Sequence, residues 1–202
     1  EHLRPIMLLT EAHILLGGAP FLNAHAPTVG HILSSTVARV RPRGAALVAS
    51  TMESLLRNYP AEGAALLSSC GAWGPLLESC AASHAGVRRC ETDRVVGHHL
   101  TAVARACAAA PGILDAHLPV AAGRERPQFG PRGLVDLYLS RVDGAGHGPL
   151  GAPRRKLWVA FLVSLLPPSQ APRGLSDAAV KEMDRLVDAC VDVLTELDGA
   201  GG

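Results

Sequence analysis

Aromatic residues are nearly missing: Phe, Tyr and Trp make up 3 per cent of the chain. Sheets draw on aromatic and β-branched side chains for their half-buried faces, so this scarcity counts against a sheet-built core. No stretch reads as a convincing strand. Charge of one sign is lacking as well. The 19 Lys and Arg stand against 18 Asp and Glu, for a net charge of +1. That balance argues against a broad nucleic-acid footprint and leaves room for local patches. The longest continuous apolar run, residues 157–166, is about half of what a membrane span needs, so no membrane span is expected. The first residues carry Glu11 and His13 within their apolar part and no basic leader, unlike a signal peptide.

Catalytic signatures are absent too. The chain has no G-x-S-x-G, no P-loop and no H-E-x-x-H. Its five cysteines, Cys70, Cys80, Cys90, Cys107 and Cys190, are odd in number and contain no C-x-x-C pair. This is the pattern of free thiols in a reducing compartment. Cys80, His84, Cys90, His98 and His99 gather several ligand types, but their spacing matches no zinc site. Ser68, Ser69 and Cys70 sit mid-helix with no base or oxyanion donor nearby. The glycines of DGAGHG follow no strand and open no Rossmann-type helix. No catalytic residue, cofactor site or metal site is expected.

What is present is Ala, Leu and Val in abundance, within a hydrophobic content of 48 per cent. These residues suit close helix packing. A helix is expected over residues 3–16, stopped by Gly17 and Gly18. A second begins near Pro27, with Val29, Ile32, Leu33, Val37 and Val40 on its apolar face. A third covers residues 45–59, with Val48, Met52, Leu55 and Tyr59 inside and Ser50, Glu53, Ser54 and Arg57 outside. A fourth, residues 61–85, should kink at Gly71, Gly74 and Pro75.

A fifth helix starts at Thr92 or Asp93. Val96, Leu100, Val103 and Cys107 form its buried face; Arg94, His98, Thr101 and Arg105 form its wet face. Residues 123–131 and 143–153 read as loops around a short helix over 133–143. Residues 154–166, RRKLWVAFLVSLL, are apolar on all sides beyond their basic head, so neighbours should cover them on all sides. Pro167 and Pro168 stop this helix. The last helix, 176–197, is capped by Ser176 or Asp177 and carries a stripe of Val180, Met183, Val187, Cys190, Leu194 and Leu197.

Paired in order, these helices start new pairs near residues 2, 44, 91 and 153. The later spacings of roughly 40–60 residues are near or above those of HEAT and armadillo units. The expected fold is all-α, a HEAT/armadillo-like α-solenoid of about four antiparallel helix pairs. It would form one array over 1–202, cut from a longer chain. A plain helical bundle is the architectural rival.

Two charge features stand out as protein-interface candidates. Arg154, Arg155 and Lys156 crowd the positive end of a helix dipole and call for acidic company, either inside the fold or from a partner. Asp184, Asp188 and Asp192 form an i, i+4, i+8 ladder. Like charges at that spacing cost about 0.2–0.5 kcal/mol per pair. Glu196 extends the ladder, and Lys181 and Arg185 offset it in part. A solvated face and a ridge for a basic partner are both open readings.

The pieces HILLGGAPFLNAHAPTV (13–29), GAALVASTMESLLRNYPAEGAALLSS (44–69), GLVDLYLSRVD (133–143) and RRKLWVAFLVSLL (154–166) together resemble the C-terminal part of importin-β superfamily receptors, in the importin-11-like branch. They occur in the family's order and span most of the chain. The resemblance implies a HEAT-repeat superhelix in a nuclear import receptor. It implies protein cargo, Ran in its GTP form and nucleoporins as partners, and shuttling between nucleus and cytoplasm. Family members bind Ran chiefly through N-terminal repeats, so no Ran-binding residue carries over. The second helix of each pair lines the concave face in this family, which would turn Asp184, Asp188 and Asp192 inward. The alternatives are a HEAT scaffold outside nuclear transport and a helical enzyme domain. The latter needs titratable groups converging in one pocket.

Overall fold

Gly18 shapes the first element. In the computed structural model, which describes residues 2–37, 39–40, 42–86, 93–115, 117–118, 129–144, 151–166 and 174–199, helix α1 (Leu3–Val37) leaves helical geometry only at Gly18, with φ 63° and ψ −159°. That region is open to glycine almost alone. The second arm of α1 therefore begins at residue 19 and not near Pro27. Pro20 falls in its first turn, where a missing N–H costs little, and Pro27 lies inside the arm. By length and composition α1 is apolar enough to cross a membrane. Its first arm, however, is shorter than the roughly 20 residues a span takes.

Helix α2 (Pro42–Asn58) buries Val48, Met52 and Leu55 as the periodicity requires. The helix expected over 61–85 is two helices, α3 (Pro60–Ser69) and α4 (Trp73–His84). Gly71, at φ 71°, separates them, so the glycine breaks the rod where a kink is expected. Helix α5 (Asp93–Ala109) leads into a 3-10 turn, Pro111–Leu114. Then come α6 (Pro131–Gly144) and α7 (Gly151–Ser164). Phe129, within the stretch expected to be a loop, is buried and meets the His84 ring at 5.6 Å. The long last helix is interrupted at Glu182, giving α8 (Leu175–Lys181) and α9 (Met183–Gly199). Gly174, in the left-handed region at φ 81°, holds the N-cap position where Ser176 or Asp177 is expected.

The described residues contain helices and turns and no strand. Packing passes from neighbour to neighbour. Helix α2 lies on α1 and α5; α5 also meets α3, α4 and α7; α7 meets α6 and α9; α6 also meets α4, α8 and α9. Helix α5, with four helical neighbours, is the centre of this network.

The most enclosed rod is α5, not α7. All the residues from Val95 to Ala104 are buried, His98 and Thr101 among them. The expected wet face of α5 is therefore an interior face. Gly97, Ala102, Ala104 and Ala106 let neighbours approach on sides that a count of large apolar residues leaves open. Thr101 is satisfied: its hydroxyl donates to the Gly97 carbonyl at 2.7 Å and accepts the Trp158 Nε1–H at 3.1 Å. Tyr138 of α6 donates to the Leu100 carbonyl at 2.5 Å. Its ring packs against Trp158 and Phe161 of α7 at 6.1 and 5.0 Å. Along α7, Trp158, Phe161, Leu162 and Leu165 are buried, but Ala160, Val163 and Ser164 face out. One edge of this helix is uncovered, contrary to its all-round apolar reading.

Candidate protein-interaction surfaces

The basic head of α7 meets acids within the chain. Arg154 Nη2 donates to Glu53 Oε2 at 2.8 Å, and His98 Nδ1 lies 2.7 Å from the same oxygen. Burial alone would raise the Glu53 carboxyl, but the His98 hydrogen bond and the Arg154 guanidinium outweigh it and hold the pKa below the ordinary value. Arg155 is buried and pairs with Glu196 of α9. Lys156, half-buried, makes no ion pair among the described residues. The unfavourable dipole position of these cations is thus answered by Glu53 from α2 and Glu196 from α9. Neither acid is near in sequence; the nearer Asp143, a candidate partner by position, pairs with Arg185 instead. Glu11, Glu53, Arg57, His98 and Arg154 line a polar cleft of about 370 Å³.

On α9, Asp184, Asp188 and Asp192 are all exposed and form no ion pair among the described residues. The cation nearest them in sequence turns away. Arg185 donates to Asp136 Oδ1 at 2.6 Å, and reaches Glu182 and Asp143 at 3.4 Å each. The hydrogen bond to Asp136 raises the Arg185 pKa. In return, Arg185, against the desolvation of the site and with help from His84 at 3.0 Å, holds the Asp136 carboxyl below its usual value. Arg185 therefore offsets the ladder less than its sequence position implies. Glu196, tied to Arg155, stands apart from it.

The buried side of α9 also differs from the expected one. Leu186, Ala189 and Val193 are buried, whereas Val187, Val191 and Leu194 are 51, 52 and 60 per cent exposed. Residues 186–194 have apolar side chains at seven of their positions, a sector wider than one contact stripe. Position in the stack, against α6 and α7, selects which half is covered.

Groups that suggest chemistry are dispersed or poorly placed for it. Ser68 Oγ lies 3.2 Å from His117 Nε2, a base that the sequence around Ser68 does not reveal. Burial lowers the His117 pKa. Yet Ser68 sits in the last turn of α3, where the helix dipole disfavours a developing anion. Of the five residues weighed as metal ligands, His84 bonds Asp136 and His98 meets Glu53. Cys90 lies outside the described residues, as do 145–150 of the glycine-rich stretch. Among the described residues no three His, Cys, Asp or Glu come together as a metal site would require.

Comparison with known proteins yields one family. The sequence pattern described as importin-11-like, TPR repeats, matches residues 1–202. No curated protein and no solved structure matches the chain. TPR and HEAT units are both helix pairs that stack on their neighbours, in keeping with the all-helical architecture. The family is one of transport receptors and scaffolds and not a family of enzymes. From end to end, this chain belongs to the importin-11-like repeat family of the importin-β superfamily.

Proposed function

We propose that this chain forms a single repeat array within a nuclear import receptor. The receptor binds protein cargo, shuttles between cytoplasm and nucleus through contacts with nucleoporins, and releases cargo when Ran-GTP binds. The observation that carries this reading is the family match over the whole chain. Ran contacts are assigned mainly to regions outside residues 1–202. A pull-down of the full-length protein with Ran locked in its GTP form tests it. Ran-GTP should be retained and should displace bound cargo. Absence of both leaves a helical-repeat scaffold outside transport as the better reading.

Within the array, the cargo-facing element is the ladder of Asp184, Asp188 and Asp192. Its exposure and its lack of ion pairs among the described residues support contact with basic protein segments. Arg154 and Arg155 have acidic partners in the chain, so of the basic head Lys156 is the residue assigned to partner contact. Reversing the three aspartates to lysine should weaken binding of basic cargo, more at low salt than at high, because screening shortens the reach of exposed charges. Unchanged affinity at both salt concentrations removes the ladder from the cargo site.

A further inference from the structure

Helix α9 shows the exterior two rows of different chemistry. Val187, Val191 and Leu194 stand at i, i+4 and i+7 and are each more than half exposed. Asp184, Asp188 and Asp192 run beside them, roughly 90° round the helix at 3.6 residues per turn. Among the described residues nothing covers the apolar row, and Leu186, Ala189 and Val193 make the inward face. Nor do the described residues neutralise the acidic row, since Arg185 is held by Asp136, Asp143 and Glu182.

We propose that α9 docks an amphipathic helix of another protein, with its apolar face on Val187, Val191 and Leu194 and a lysine- or arginine-rich edge on Asp184, Asp188 and Asp192. The inference rests on the reading of the ladder as a contact for a basic protein, and it adds the shape of that partner. A helix fits because the apolar row offers one anchor per turn over about 10 Å, the spacing at which helix-in-groove partners place their own anchors. An extended segment, whose same-face side chains repeat about every 6.6 Å, fits the step of about 6 Å from Val187 to Val191 but overshoots Leu194 by roughly 3 Å. Charge complementarity makes the partner basic. It also argues against two other occupants. A second copy of α9 would bring its own three aspartates, and an anionic lipid surface would be repelled by the acidic row.

The test uses the full-length protein and a labelled synthetic helix of about 15–20 residues, with leucine at i, i+3, i+4 and i+7 and lysine along one flank. Two controls accompany it: the same composition with the leucines scrambled, and the same helix with glutamate for lysine. Fluorescence anisotropy is read at two salt concentrations. The amphipathic basic helix should bind, and each control should bind at least about tenfold more weakly. Val187→Ser with Leu194→Ser should cost about tenfold at both salt concentrations, and Asp184→Lys with Asp188→Lys and Asp192→Lys should cost most at low salt.

If the lysine variant loses affinity and the serine variant does not, the acidic contact stands and helix docking is overturned. If neither variant changes binding, or the basic helix does not bind at all, both readings of α9 fall. Equal binding of the scrambled peptide also overturns helix docking. So does sedimentation showing that the wild-type protein dimerises while the serine variant does not, which would make a second copy the occupant.

Discussion

Single residues carry two kinds of constraint here, backbone geometry and buried charge. Gly18 is held at φ 63°, ψ −159°, so Gly18→Ala should destabilise the protein by about 1–3 kcal/mol. The midpoint of urea unfolding measures it. His99 is fully enclosed, and burial, then the neighbouring His98, push its pKa down to about 3 from 6.5. A folded pKa below the unfolded one means that the unfolded chain binds the proton first. The contribution of His99 to stability is therefore complete above about pH 6.5 and declines as pH falls from there towards 3. Unfolding free energy measured across that range should fall with pH, and His99→Leu should flatten the slope. Burial and the nearby Asp115 raise the Cys107 thiol, which keeps it protonated and poorly nucleophilic. In the native protein at neutral pH, Cys107 should resist maleimide and label only on denaturation, as mass spectrometry of digests will show.

Elements are joined by side chains that reach across from distant stretches. Glu53 of α2, His98 of α5 and Arg154 of α7 meet at one carboxylate oxygen, which ties three helices together. Glu53→Ala leaves a guanidinium and an imidazole in a half-buried site without their acceptor. It should cost about 1–3 kcal/mol, read from thermal or denaturant unfolding. The same loss is expected on acidification. Because the Glu53 carboxyl titrates below the 4.5 of an ordinary glutamate, its contribution is intact above that value and disappears as pH falls through the lowered one. The helices themselves are largely visible in the pattern of Leu, Val and Ala, as α2 and its face of Val48, Met52 and Leu55 illustrate. Their junctions are less so. Gly18 and Gly71 could each be read as a stop or a kink, since glycine permits both, and only the packing around them decides.

At the scale of the whole molecule, α5 is the shared neighbour of α2, α3, α4 and α7, while the first arm of α1 leaves Ile6, Leu8, Leu9, Leu15 and Leu16 exposed. Stability should follow that gradient. In native-state hydrogen exchange, amides of α5 should open only with global unfolding, and those of residues 3–17 should open locally at lower free energy. Equal protection of the two would contradict it. Leu100, fully buried in α5, is a matching probe. Leu100→Ala should lower global stability by about 2–5 kcal/mol.

The sequence by itself determined the helical class, the family and most of the helix faces, because these follow from composition and from a 3.6-residue period that local physics enforces. It also marked the two charged features of interest. Tertiary structure decided which of them the fold absorbs. Arg154 and Arg155 find Glu53 and Glu196 far along the chain, while Asp184, Asp188 and Asp192 lose Arg185 to Asp136. It decided, too, that α5 is the enclosed rod and that α9 turns Leu186 inward and Val187 outward. Those outcomes depend on which neighbour stands on which side, and helical periodicity contains no information about neighbours.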